Sequence, residues 1–357
     1  MAVQNMNRCG FRAGLFLSKS ALGECQRGLE STSMQKLSAR QRTLAGPLEF
    51  AGFGVHSALP VTLMLQPAPP DSGFLIARQM EDGSRVGPVP IHFSRITRTT
   101  LCTTLDLGDS VSVATIEHVT SALSGLGVDN ALLVVTGPEC PILDGSAAPF
   151  VEGIMRVGLE IQPAMRRYIK IMRAVMVRNN EAHAALEPYN GRALDLEIDF
   201  DSRVIGRQRM IFDWTPRKYY DDVSRARTFG CMGDVERLWK SGFARGASLE
   251  NAVVFDEDRV INPEGLRYAD ECARHKVLDV IGDLALAGLP LIGLYRSVRG
   301  GHKLNHAVLT ALMADRSAWR VVEAEPAVVR RRARGHADVV GGMLGGGMVP
   351  VYAPDVS

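Results

Sequence analysis

Apolar and polar residues alternate with a period of two in several stretches of the chain, the repeat of a strand with one buried face. Val61-Thr-Leu63-Met-Leu65 alternates, Phe74-Leu-Ile-Ala77 is a short apolar run, and Pro67-Ala-Pro-Pro-Asp-Ser-Gly73 supplies turn residues between them. Residues 41–79 therefore read as β, and Val111-Ser-Val113 and residues 130–136 add further strands. Between those two, Thr115 predicts an N-cap for a helix to about Ser124, closed by Gly125, which completes a β-α-β unit. Asp144-Gly-Ser-Ala-Ala-Pro149 leads into an amphipathic helix over 150–157, and residues 161–168, with Pro163, read as a linker.

The second half repeats the style. Val175-Met-Val177, Ala184-Ala-Leu186 and residues 194–200 read as strands, 224–239 as a mixed helical stretch, and 252–255 with 259–261 as a hairpin. A long helix over 266–287 stops at Gly288 and Pro290. A strand over 291–297, a tight loop at Arg299-Gly-Gly-His302 and a helix over 305–313 complete the pattern. The expected fold class is α+β, with two domains of similar topology at 37–162 and 163–320, each a β-sheet layered on α-helices. Residues 1–36 carry Arg8, Arg12, Lys19 and Arg27 among small residues, and Met34 offers a second start; this reads as a disordered extension or a mis-assigned start. Residues 321–357, with the basic run Arg330-Arg-Arg-Ala-Arg334, read as a flexible tail.

Composition changes this picture little. The 357 residues are 46% hydrophobic and 22% charged, an ordinary globular balance. A net charge of +2 excludes an electrostatic case for nucleic acid as partner. The six cysteines lack CxxC spacing and read as reduced thiols of a cytoplasmic protein. No apolar run is long enough for a membrane span.

The chemistry lies in a divided polar constellation. Glu117-His118 sits in one half; His275, Lys276, Asp279, Asp283 and Gly300-Gly-His302 sit in the other. A catalytic zinc takes three N/O protein ligands and one open position. His118, His275 and Asp279 can supply those ligands, leaving Glu117 and His302 as an acid/base pair. On a helix, His275, Asp279 and Asp283 share one face, and burying three ionisable groups in file is costly unless a cation neutralises them. Singly, each piece has a plain alternative: a surface His–Asp pair, an acidic first turn facing the helix dipole, an exposed loop histidine.

Together the pieces fall within a longer series of motifs. These include Gln41-Arg-Thr-Leu44, Gly52-Phe-Gly-Val-His-Ser57, Leu101-Cys-Thr103, Ser112-Val-Ala-Thr-Ile-Glu-His118 and Pro141-Ile-Leu-Asp-Gly-Ser-Ala-Ala-Pro-Phe150. Glu187-Pro-Tyr-Asn-Gly191, Ser224-Arg-Ala-Arg-Thr-Phe-Gly230, Gly246-Ala-Ser-Leu-Glu-Asn-Ala252, Arg274-His-Lys-Val-Leu-Asp279, Ile281-Gly-Asp-Leu284 and Gly301-His302 follow in order. Over residues 41–319 the chain resembles the bacterial UDP-3-O-acyl-N-acetylglucosamine deacetylases, zinc amidases of lipid A biosynthesis.

The resemblance implies zinc-dependent deacetylation of an acylated UDP-sugar to UDP-3-O-acyl-glucosamine and acetate, the committed step of that synthesis, by a cytoplasmic monomer. It implies Zn(2+) on His118, His275 and Asp279, Glu117 as the base that activates water, and His302 as the partner acid oriented by Asp283. Thr228 would donate to the tetrahedral oxygen, Lys276 and Phe229 would contact substrate, and Leu101 and Cys102 would lie near the acetyl group. The site would lie between the two domains, and an insert within 200–212 would form an apolar passage for the acyl chain. Three positions stand out: His306, close to His302; Cys231, where a bulkier apolar residue is common; and His56, read as a structural turn histidine. The short stretch after Trp319 implies a single-function enzyme without a fused dehydratase. The competing readings are a catalytically silent binder of the same fold and a structural zinc protein.

Overall fold

The structure, a computed structural model, describes residues 39–324 apart from 258. Strands β1 (Arg40–Leu44), β2 (Leu48–Phe53), β3 (Pro60–Pro67), β4 (Phe74–Gln79) and β5 (Arg85–Pro90) open it. The alternation at 61–65 is real: in β3, Val61, Leu63 and Leu65 are buried while Thr62 and Met64 face outward. Short strands β6 (Ile96–Arg98), β7 (Thr104–Gly108) and β8 (Val111–Val113) form their own three-stranded sheet. After helix α1 (Glu117–Leu126) comes β9 (Ala131–Val135), which enters the middle of a five-stranded sheet ordered β2-β3-β9-β4-β5. Helix α2 (Ala148–Val157) packs on β2 through Phe150 against Phe50, with ring centroids 4.9 Å apart.

Next come β10 (Leu159–Met165), β11 (Arg167–Ile171), β12 (Val175–Asn179), β13 (Ala182–Glu187), β14 (Arg192–Asp199) and β15 (Arg207–Asp213). Short elements follow: α3 (Pro216–Lys218), β16 (Phe229–Cys231), α4 (Val235–Lys240), β17 (Val253–Asp256) and β18 (Arg259–Val260). The chain then runs through α5 (Glu271–Leu284), β19 (Leu291–Val298), α6 (His302–Ala314) and β20 (Trp319–Glu323). β19 organises the seven-stranded sheet, pairing parallel with β11 and β14 and antiparallel with β13. Helix α5 packs against β14 and β15, and α6 against β12 and β13. Helices α1 and α5 also pack on each other, so the order is sheet, helices, helices, sheet, an α+β architecture. One apolar core runs through both halves. No described helix is long and apolar enough to cross a membrane.

Several expectations shift. Thr115 does not cap α1: it adopts φ +56°, Ile116 is the helical N-cap, and the Thr115 hydroxyl instead donates to Glu139. The helix runs to Leu126 and ends at Gly127 in the left-handed conformation. The β-α-β unit dissolves as well, because β8 and β9 belong to different sheets. The stretch read as a linker is paired strand: β10 zips antiparallel to β1, and Pro163 is tolerated where the ladder needs no donor. The region 200–212 is the turn and second strand of the β14–β15 hairpin, an integral part of the main sheet. What stands apart from that sheet is the three-stranded layer β16-β17-β18 with α4. Residues 321–323, expected as tail, extend β20 along β11. The expectations for residues 1–36 and for the rest of the tail lie outside the described residues.

Candidate active site

Helix α5 carries His275, Asp279 and Asp283 at spacings of four, all buried on one side of it. Helix α1 crosses that helix closely: Thr120 Oγ1 donates to Gly282 O at 3.2 Å and Ser121 Oγ to Leu278 O at 2.8 Å. The approach requires Gly282, where a Cβ would stand 2.1 Å from the Glu117 carbonyl oxygen. The absence of a side chain there lets the first turn of α1 bring Glu117 and His118 over the α5 carboxylates.

His118, His275 and Asp279 form the one group of three or more His, Cys, Asp or Glu among the described residues that converges well enough to hold a metal, with one ligand atom from each within 4.8 Å of the others. Asp279 Oδ1 lies 3.4 Å from His275 Nε2 and 3.9 Å from His118 Nε2. His275 Nδ1–H donates to Ala226 O at 3.0 Å, which leaves its Nε2 lone pair facing that space. Burial, with the neighbouring His275, drops the His118 pKa to about 3, and burial also lowers that of His275. Both imidazoles are therefore neutral, as ligands must be. Burial opposes charge on Asp279, but the cationic Lys276, foremost, and His302 outweigh it and hold the carboxyl far below its ordinary range. Its Oδ2 accepts from Lys276 Nζ at 2.7 Å, whereas Oδ1 is buried with no hydrogen-bond partner. A buried, ionised, unpartnered oxygen beside the Nε2 atoms of two neutral imidazoles is an arrangement that a divalent cation resolves.

Beside this group, His302 Nε2 is 3.7 Å from Glu117 Oε1. His302 is the first residue of α6, entered from Gly301, rather than part of the preceding loop. Burial raises the Glu117 pKa to about 8, with Asp283 and Asp279 pushing the same way against His302. Burial disfavours the imidazolium of His302, yet Asp283, Asp279 and Glu117 outweigh it and raise that pKa to about 10. The Asp283 contact is direct: His302 Nδ1–H donates to Oδ2 at 2.7 Å.

Three supporting residues had no assigned role in the sequence. The Thr103 amide donates to Glu117 Oε2 at 3.1 Å and its hydroxyl to Asp283 Oδ1 at 2.7 Å, so one residue ties Glu117 to the carboxylate that holds His302. Asn305 Nδ2 donates to Asp283 Oδ2 at 2.8 Å, and the Tyr295 hydroxyl donates to Asn305 Oδ1 at 2.5 Å. Asn305 was findable, since it lies one turn after His302; Thr103 closes the Leu101-Cys-Thr103 motif. Tyr295 reaches the site from β19 and leaves no local signal.

Lys276 and Phe229 border the same space, with Nζ 5.5 Å from the ring centroid and the ring 6.2 Å from that of His275. Phe229 continues into an aromatic row with Phe200 at 5.4 Å and Phe255 at 6.3 Å. Thr228 is half-buried and fixed through its backbone, its N–H donating to Gly145 O and its C=O accepting from Val253 N, each at 2.8 Å. Gly145 allows that contact, since a Cβ there would meet Asn251 O at 2.0 Å. The strand is anchored by Arg227, which pairs with Glu271 at 2.9 Å with both side chains buried. Leu101 is exposed in the left-handed region (φ +64°), and Cys102 is buried, its thiol pushed up to about 12 by burial and then by Glu117. His56 accepts from Ala244 N through Nδ1 and stacks edge-on with Phe243. His306 Nε2–H donates to Phe93 O at 2.9 Å, which turns it from His302 toward the first half. Cys231 is half-buried in β16, and the four described cysteines are free.

Comparison with known proteins agrees with this geometry. A family model described as UDP-3-O-acyl N-acetylglycosamine deacetylase (LpxC) matches residues 41–314. Similar curated proteins include the UDP-3-O-acyl-N-acetylglucosamine deacetylases of Brucella ovis, Brucella abortus and Brucella melitensis. Each is 43% identical over 289 residues, which is 81% of this chain and the whole of the relative. With the match spanning most of the described fold and both halves of the polar cluster, the chain belongs to the UDP-3-O-acyl-N-acetylglucosamine deacetylase family.

Proposed function

We propose that the chain hydrolyses the acetamide of UDP-3-O-acyl-N-acetylglucosamine, releasing acetate and the free amine, as the zinc-dependent committed step of lipid A synthesis. The observation that carries the reading is one buried cluster in which His118, His275 and Asp279 converge while Glu117 and His302 face each other alongside. The two neutral imidazoles and the orphan carboxylate oxygen suit Zn(2+). When bound, the ion acts as a Lewis acid on a carbonyl and acidifies water.

The remaining steps fall to side chains. Glu117 takes the proton of the attacking water; a nearby divalent cation would lower its pKa from the metal-free value of about 8. His302, cationic at neutral pH and held by Asp283, steadies the oxyanion and protonates the leaving amine. Thr228 donates to the tetrahedral oxygen, and Leu101 and Cys102 border the acetyl group. Lys276 pairs with a phosphate of the diphosphate, and Phe229 packs on the substrate. The aromatic row from Phe229 to Phe200 and Phe255, together with the separate β16-β17-β18 layer, supports an acyl passage along that layer, with Phe200 the one residue of the expected 200–212 segment in the row. The segments 37–162 and 163–320 act as the two domains, with the site between them, in a monomer. Shortening the acyl chain should weaken binding by roughly 0.8 kcal/mol per CH₂ removed. Titrating a series of acyl lengths tests this, and equal turnover with and without the chain would remove the passage from the account.

A further inference from the structure

The file of ionisable residues on α5 does not start at His275. One turn earlier Glu271, the first residue of the helix, continues the same spacing of four, so Glu271, His275, Asp279 and Asp283 share one face. An acidic first turn suits the helix dipole whether or not it touches anything. Glu271, however, is buried, and donors from two other segments surround it. Its Oε1 accepts from the Arg227 amide at 3.0 Å and from Arg227 Nε at 2.9 Å. Its Oε2 accepts from the Arg267 amide at 2.6 Å and from Arg227 Nη2 at 3.2 Å.

The Arg227 amide is half of a peptide group whose other half is the Ala226 carbonyl. That carbonyl accepts from His275 Nδ1–H at 3.0 Å. A trans peptide is planar, and its N–H and C=O point in opposite directions. Gripping the N–H on one side therefore fixes where the carbonyl points on the other. The contacts run from the Glu271 carboxylate through one peptide to the His275 ring, and both ends stand on α5 one turn apart. With Nδ1 carrying the proton, His275 keeps Nε2 unprotonated, 3.4 Å from Asp279 Oδ1. A negative group at the N–H end also makes the carbonyl a stronger acceptor, since hydrogen bonds in series polarise one another. Glu264 pairs with Arg227 too, but it touches the guanidinium and not the peptide.

We propose that Glu271 is a positioning residue for the metal centre: through the Ala226–Arg227 peptide it sets the orientation and tautomer of the His275 ring, a role that rests on reading His275 as a zinc ligand. Arg227 is then more than an anchor for its strand, because its backbone carries the contact between the two α5 side chains.

Zinc affinity of the full-length protein, measured by competition with a chelator, tests this without reference to turnover. Four donors face the two oxygens of Glu271, so the amide nitrogen of Glu271→Gln meets a donor whichever way it turns. That variant should bind zinc about tenfold more weakly, while Glu264→Gln should bind it like the parent. Nitrogen NMR of the zinc-free protein should show the Nδ1–H tautomer for His275 in the parent and a mixture of tautomers in Glu271→Gln. A role confined to stability would lower the thermal midpoint and move neither readout. Unchanged affinity or an unchanged tautomer in Glu271→Gln, or an equal loss in Glu264→Gln, overturns the proposal. Should Glu271→Gln fail to fold, Arg227→Met combined with Glu271→Leu removes both buried charges together; the same loss is expected, and parent-like affinity overturns the proposal. His275→Ala, run alongside, checks the ligand reading itself: if it keeps the parent's zinc affinity, that reading falls and this proposal with it.

Discussion

Glu117 and His302 sit 3.7 Å apart, and what separates their roles is the company each keeps. Glu117 receives one backbone N–H from Thr103, while His302 is gripped by an ionisable partner, Asp283. Glu117→Gln should lower acetate release by about 10²- to 10⁴-fold and leave bound metal unchanged, because the three proposed ligands are intact; metal analysis beside the assay separates the two effects. The pH profile should be a bell. Activity rises as Glu117 loses its proton and falls as His302, raised to about 10, loses its own. Removing the anion that holds His302 up lowers its pKa, so Asp283→Asn should move the alkaline limb to lower pH. An unmoved limb would detach Asp283 from this role. Thr103→Val should lower kcat by about 10- to 100-fold with little change in KM, and Thr103→Ser should restore it, since the hydroxyl to Asp283 is what the valine lacks.

At the scale of elements, the α1–α5 crossing positions the site, and it turns on Gly282. Gly282→Ala forces a Cβ against the Glu117 backbone and should destabilise the protein by about 1–3 kcal/mol, seen as a lower thermal midpoint. Activity should fall further than stability explains, because His118 would be lifted away from His275. The elements legible in the sequence were those with strong local period or punctuation: β3, the β17–β18 hairpin, and α5 with its stop at Gly288. Those misread depended on partners far away. The segment around Pro163 becomes a strand only because β1, more than a hundred residues earlier, supplies the ladder. Thr115 loses its cap role to a carboxylate, Glu139, that no local pattern connects to it. Residues 200–212, which the family resemblance implied as an insert, form the turn and second strand of the hairpin with β14.

For the whole molecule, the fold brings residues from the two halves of the chain into one cluster. The convergence of His118, His275 and Asp279 was legible because His275 and Asp279 announce a helix face and the motif series supplies His118. The network from Tyr295 through Asn305 to Asp283 was not, since it exists only once β19, α5 and α6 are packed together. The central claim is that this shared cluster is a zinc-dependent amidase centre. Acetate release from UDP-3-O-acyl-N-acetylglucosamine, measured before chelation, after chelation and after zinc is restored, tests it most directly. Turnover should vanish on stripping and return as binding approaches one zinc per chain. A zinc-loaded protein that releases no acetate, or a stripped one that still does, would contradict the account.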